Sequence, residues 1–425
     1  GDPDAGDPDA GDPDAGDPDA GDPDAGDPDA GDPDAGDPDA GDPDAGDPDA
    51  GDPDAGDPDA GDPDAGDPDT GDPDADDPDA DDPDADDPDA DDPDDETPEP
   101  EPEPLVSEKQ IAPSGLAAAM KANEMFADSL IQRRASGLEP GEWSFWSTGF
   151  GGTQDVGRAK GVPGWNGDTS GYAFGVERLL HKTGKPVLIG AAGGRSEAAI
   201  KAGASRAKVH STHIGAYANT SIDALFISGS LAYAWQDYKF DRGIIAPTSA
   251  TIARSKTDGT SWAIKTEAFY DLLWMDETED GRRPLAFGPV LALGSTTGNY
   301  QSFKENGAGI LNLTYMDEHA YQTVIGLGGA GKIDTYFDQM HVEASLNLLW
   351  ESVSGNRAID TRARLDVANA LFKPTSAAID ANRLAVGTDV KFHLGEDVYA
   401  QIRYDTTHSE NLIEHEGWAG VTIRF

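Results

Sequence analysis

The chain has no cysteine in 425 residues, which excludes a disulfide framework and any thiolate-held metal site. Nor does any apolar run approach 18–20 residues, so a transmembrane helix is excluded as well. A membrane wall of alternating strands is not, because such strands keep the mean hydropathy low; here it is −0.57. Lys and Arg are absent from residues 1–104, which carry 47 of the 83 acids and leave 36 acids against 30 bases in 105–425. The formal charge of −53 therefore belongs to an acidic arm, and the body is mildly acidic, with no basic excess to attract nucleic acid. The chain starts at Gly1 in phase with a repeat and lacks an initiator Met and a leader. This leads us to expect the C-terminal part of a longer precursor.

What is present begins with nineteen consecutive pentads over residues 1–95: GDPDA, with one Thr variant ending at Thr70, then three DDPDA and one DDPDD. Pro at every fifth position forbids sustained helix or ladder pairing. The dense like charge repels itself, and there is almost nothing apolar to bury. Residues 1–104, ending in ETPEPEPEP, are expected to be a disordered, solvated spacer, able to reach roughly 300 Å in the polyproline limit. The pentads lack the carbonyl and bidentate-Glu pattern of a dedicated calcium site.

A linker follows over 105–140, and within it the sequence predicts one helix over about 114–136. Ser114 is the candidate N-cap after Pro113, LAAAMKANEMFADSLIQRRAS is rich in helix formers, and Gly137 stands where a C′ glycine would. Arg133 and Arg134 in the last turn complement the dipole. The apolar positions Leu116, Met120, Phe126, Leu130 and Ile131 do not form one wide stripe. Such a narrow, wettable helix suits the inside of a polar tube.

From 141 onward the period is two. Leu384, Val386, Val390, Phe392 and Leu394 oppose Asp389, Lys391 and His393; Trp262, Ile264, Ala268 and Tyr270 oppose Lys265, Glu267 and Asp271. The apolar face carries Trp and Tyr near strand ends, and charge recurs in the middle of the other face. A soluble small barrel would fill its interior with apolar side chains; an outer-membrane barrel shows this reversed arrangement. Twelve strands are expected, at about 142–151, 169–180, 186–195, 208–218, 222–236, 261–273, 284–296, 321–330, 341–351, 383–394, 397–406 and 416–425. Ile310–Met316 is assigned to a long loop, because single-chain bacterial barrels favour even counts. Leu394–Asp397 is tight, whereas 274–283, 297–320 and 352–382 are long or polar. Short turns on one rim and long loops on the other are expected. The terminal segment GWAGVTIRF alternates to its last residue, Phe425.

These residues together resemble the C-terminal translocator (β-domain) of monomeric autotransporters, the type V secretion system. The resemblance covers about 105–425. It rests on the helix ahead of the strands, EWSFWSTGFGG (Glu142–Gly152), TSGYAFGVERLL (Thr169–Leu180) and the terminal strand. It implies a twelve-stranded monomer in the lipid bilayer of the outer membrane, a helix in the pore, and an N-terminal passenger delivered to the cell surface without ATP. It also implies insertion by the barrel-assembly machinery, with Trp418, Gly420, Ile423 and Phe425 at the positions of the terminal signal; Trp418 departs from the large polar residue usual there. Some members cut their helix at an Asn-Asn pair; here the pair is Asn123-Glu124, and the resemblance does not extend to that reaction.

No nucleophile elbow, phosphate loop, zinc-spaced His pair or EF-hand loop is present, and no cofactor is expected. His210 and His213, at odd spacing, face opposite sides. The charges Lys265, Glu267, Asp389, Lys391, Arg403 and Asp405 would cost about 2–4 kcal/mol each against lipid for a midplane Lys or Arg, so they belong in the lumen. There they are expected to pair with one another or with Glu124, Asp128, Arg133 and Arg134 and to plug the pore. Two other readings stay open: a surface adhesin whose acidic repeats are the working part and whose barrel is only an anchor, or a rim enzyme using His393, His408, His415 and Asp405.

Overall fold

The computed structural model describes residues 106–107, 109–131, 140–182, 185–246, 249–273, 284–337 and 340–425, all within the unit Asp92–Phe425. The acidic repeats, Arg133, Arg134, Gly137 and the segment 274–283 lie outside the described residues.

Helix α1 spans Ile111–Ile131. It starts three residues before the expected position, which corrects the assignment of Ser114 as N-cap. Ser114 N donates to Gln110 O at 2.9 Å, so Ser114 is already inside the helix. Pro113 sits in the first turn, where its missing N–H leaves no bond unmade.

Twelve strands follow: β1 Trp143–Val156, β2 Trp165–Lys182, β3 Lys185–Ala202, β4 Ser205–Ile222, β5 Leu225–Ala246, β6 Ser249–Tyr270, β7 Leu285–Tyr300, β8 Glu318–Phe337, β9 Met340–Gly355, β10 Asn382–His393, β11 Val398–His408 and β12 Leu412–Arg424. Each pairs antiparallel with its sequence neighbours. β12 returns to β1, from Leu412↔Val156 to Arg424↔Ser144, and the sheet closes as a twelve-stranded barrel; only the far part of the β5–β6 hairpin, past Asp241 and before Gly259, stands beyond the closed ring. Closure lets the wall amides pair inside the sheet, which lipid cannot do. The seam is paired to the last residue: Phe425 N donates to Trp143 O at 2.9 Å.

The wall is reversed relative to a soluble barrel, as the alternation implies. Ile264 is 52 % exposed and Leu348 50 %, whereas Glu177 and Glu414 are each 1 % exposed. Outward aromatics mark the limits of the apolar belt. Tyr233 and Trp262 lie in register on β5 and β6, their rings 4.5 Å apart, and Trp143, Tyr270 and Phe425 stand exposed at the other rim. Eight residues separate Trp262 from Tyr270, about 27 Å along a strand, or roughly 20 Å of height at the usual tilt. Beyond Trp235 the outward positions turn charged (Asp237, Lys239, Asp241), so the β5–β6 hairpin continues for about 35 Å past the belt.

One rim carries the chain's Trp143 and Phe425 and most of the short turns; the other carries the segments 301–317 and 356–381. Tyr270 and Leu285, the strand ends that flank 274–283, lie on the short-turn rim, so the long connections do not all belong to the other rim. Strand parity decides it: β6 and β10 run in the same direction. Two connections on the loop rim, 203–204 and 409–411, are themselves tight.

The region Ile310–Met316 is outside the barrel, as assigned, but is structured. Leu313–Tyr315 joins Phe303–Lys304, Ala363–Leu365 and Ala370–Phe372 in a small four-stranded sheet capping the loop rim. Arg242 grips Glu305 from two nitrogens, at 2.8 and 2.6 Å, beneath this sheet. The rings of Phe240, Phe303 and Tyr315 stack in series, 5.2 and 4.6 Å apart. Burial pushes the Tyr315 hydroxyl well above its ordinary range. At the cap's surface, Lys304 and Thr314 hold the Asp366 carboxyl below its usual range.

Candidate functional site: the lumen and its helix

Helix α1 lies inside the barrel, off centre. It packs along β3 to β7 and meets β12 through individual side chains. Small residues on the inner wall allow the approach: a Cβ at Gly298 would stand 2.6 Å from Met120 Cγ, and one at Gly215 2.5 Å from Leu130 Cδ1. Ala232, Ala234 and Ala263 complete this smooth surface, all fully buried.

Polar contacts fix the helix in rotation and height. Gln236 Nε2 donates to Ala119 O at 2.9 Å, and Ser230 Oγ to Ala127 O at 3.2 Å. His213 sits between Asn123 Oδ1 (3.1 Å) and Ser196 Oγ (2.8 Å) and stacks on Phe126. Ser, His and Asn follow one another here as in a nucleophile relay. All three are buried, and the set ties the helix to β3 and β4. His210, facing out, pairs with Glu197 at 3.1 Å.

Of the residues singled out by sequence, Glu124, Asp128 and Lys265 come together: Lys265 Nζ is 2.9 Å from Glu124 and 2.7 Å from Asp128. The network continues through residues that sequence reasoning missed. Lys121 reaches Glu416 at 2.8 Å and Glu414 at 3.2 Å, and Arg383 joins Glu351 at 2.6 Å and Glu414 at 3.7 Å. A belt of alternating charge thus runs from β6 through the helix to β12, β10 and β9. Inward parity could have flagged Glu414, Glu416 and Arg383, but only the register shows that they share one level.

The remaining lumen charges lie elsewhere. Glu267, Asp389, Lys391 and Arg403 line a polar cavity below Ile131, with Lys332, Glu343 and Gln401. Asp389 accepts from Gln401, and Arg403 pairs with Asp405. None of these reaches the described part of the helix through an ion pair. The suggested rim set is split: His408 and His415 adjoin, their rings 5.9 Å apart and both on Thr406 Oγ1, but Asp405 is held inward by Arg403 and His393 lies at the opposite rim beside Glu343.

Of the terminal-strand residues, Ile423 and Phe425 face outward and are exposed. Trp418 faces the lumen, donates to Met125 O at 3.3 Å and carries the Arg403 guanidinium 4.9 Å above its ring. Gly420 lies at the seam, where a Cβ would come within 2.6 Å of Ser147 O.

Residues 145–405 match the family model described as autotransporter beta-domain. The chain belongs to the autotransporter β-domain family. The translocator domain of the autotransporter NalP from Neisseria meningitidis is similar in fold, with a TM-score of 0.55 at 15 % identity over 74 % of this chain and 99 % of that one. The β-domain of the Bordetella autotransporter BrkA matches over 66 % of this chain and 98 % of its own, with a TM-score of 0.47 at 15 % identity. No curated protein matches the chain in sequence. As an autotransporter β-domain, the chain is an outer-membrane barrel that exports a passenger.

Proposed function

We propose that the lumen is the export path, and that after export α1 remains in it as an off-centre plug held by the Asp128–Lys265–Glu124–Lys121 belt. The observation that carries this reading is the double engagement of Lys265 by two helix carboxylates. A lone helix charge would be costly to hold in the lumen; an alternating set is satisfied only when the helix is seated. Transport then requires no bond chemistry: the barrel supplies a closed polar passage, and the chain threads it extended. The short-turn rim faces the periplasm and the capped rim the exterior. The acidic pentads act outside the cell as a spacer between the barrel and a passenger joined on its N-terminal side, since they contain almost nothing that could fold before passage. Trp418, Gly420, Ile423 and Phe425 present the closing strand to the barrel-assembly machinery, and the barrel works as a monomer.

Planar-bilayer recording tests the plug. Removing 111–131 should raise single-channel conductance severalfold, and equal conductance with and without the helix would refute it. With the helix seated, the cavity beside it should pass a small current of weak ion preference, because its lining holds three acids and three bases (Glu267, Glu343, Asp389; Lys332, Lys391, Arg403).

A further inference from the structure

At the short-turn rim, on the side of the lumen that the helix leaves empty, three neighbouring strands bring two imidazoles and two carboxylates together. His341 and Glu343 are two apart on β9 and so share its inner face. His393 on β10 is the register partner of His341, and Asp334 on β8 is the partner of Glu343. His393 Nε2 lies 2.9 Å from Glu343 Oε1, and His341 Nε2 lies 2.5 Å from Asp334 Oδ1. The two imidazole rings stack with centroids 4.1 Å apart. Donor atoms of His341, Glu343 and His393 all fall within 4.8 Å of one another. Glu343 also lines the polar cavity, but the plug makes no use of this group.

We propose that His341, Glu343 and His393, with Asp334 at their side, form a divalent transition-metal site of the zinc type, which staples β8, β9 and β10 at this rim. Two imidazole nitrogens with carboxylate oxygen select zinc, cobalt or nickel over calcium and magnesium, which require oxygen alone. Three protein ligands with a fourth position for Asp334 or water is a usual zinc set. Donors around one tetrahedral zinc stand about 3.4 Å apart, so the widest pair closes by side-chain rotation without moving the ladder. The ladder itself fixes the three backbones, so little ordering is needed on binding. Lys332 holds the other oxygen of Glu343, Oε2, at 2.7 Å, while Oε1 faces His393. Lys332 also places a positive charge near the site and limits its affinity.

Cobalt(II) titration of the folded, detergent-solubilised protein tests the proposal directly, because a chain without cysteine offers no thiolate to mimic the signal. The expected result is one equivalent of cobalt with the visible absorption of a tetrahedral site, displaced by zinc. His341→Gln and His393→Gln should each abolish it while retaining the heat-modifiable gel mobility of a folded barrel. His210→Gln, on the outer wall, should leave it intact, and Lys332→Gln should tighten binding severalfold. Absence of the visible band, or binding that survives both His341→Gln and His393→Gln, would overturn the assignment. So would loss of the band in His210→Gln, or affinity no tighter in Lys332→Gln.

Discussion

The two sides of the lumen are built by different rules. Along β3 to β7 the inner wall is nearly smooth, with Gly194, Gly215, Ala232, Ala263 and Gly298 facing inward, and the helix lies against it with backbone-directed bonds from Ser230 and Gln236. Along β8 to β11 the wall bristles with Lys332, Glu343, Asp389, Lys391 and Arg403 around a cavity. Packing is therefore concentrated on one side and solvation on the other, with the charge belt as the link between them. A wall of small residues can hold a helix closely but cannot select its height or rotation. Charges selected at fixed levels can do both.

This contrast can be broken from either side. The largest effect should come from Lys265→Met, which leaves Glu124 and Asp128 without their shared cation. Removing one partner of a buried pair costs about 3–5 kcal/mol. The outcome to look for is a helix cut by added protease at a lower denaturant concentration than in the parent. Next is Gly298→Leu, which drives a side chain into Met120 and should cost about 1–3 kcal/mol by overpacking. Ser345→Leu, pointing into the cavity, should shift the urea midpoint far less; equal losses at the two sites would erase the asymmetry. His213→Phe keeps a ring against Phe126 but loses the bonds to Asn123 and Ser196, and should cost about 1–3 kcal/mol for the polar groups left buried, read from the same midpoint. Arg403→Gln also breaks a part-buried pair, with Asp405, and should lower the midpoint as well. Its distinguishing effect is in the residual current, which becomes cation-selective as the cavity loses one of its three bases; reversal potentials in a salt gradient measure it.

Much of this design is written in the alternation of the chain. Between Trp262 and Tyr270 the outward residues meet lipid and the inward ones meet water or the helix, so parity alone separates Ile264 from Lys265. Past Trp262 the same strand has water outside, Asp258, Lys256 and Arg254 face outward, and the contrast between faces fades. That is why β5 and β6 extend well beyond the expected 222–236 and 261–273. Helix α1 shows a similar limit: Pro113 and Ser114 are compatible with either a start or a first turn, and the bond from Ser114 N to Gln110 O decides. The pairing of Glu124 and Asp128 with Lys265 follows from parity and charge. The extension of that pairing to Glu414, Glu416 and Arg383 depends on strand register across the seam, which no local pattern encodes. His213 was hidden for the same reason, since inward parity does not say what an inward residue touches.

The placement of the helix is open to a direct chemical measurement, because the chain has no cysteine of its own. With a Cβ at Gly298 2.6 Å from Met120 Cγ, the two Cβ positions are at most about 4 Å apart, within disulfide range. Gly298→Cys with Met120→Cys in the membrane-inserted protein should link spontaneously and change mobility on a non-reducing gel. Met120→Cys with Asn347→Cys, across the cavity, should remain as free thiols. The off-centre plug is contradicted if the Asn347 pair links as readily as the Gly298 pair, or if the Gly298 pair does not link.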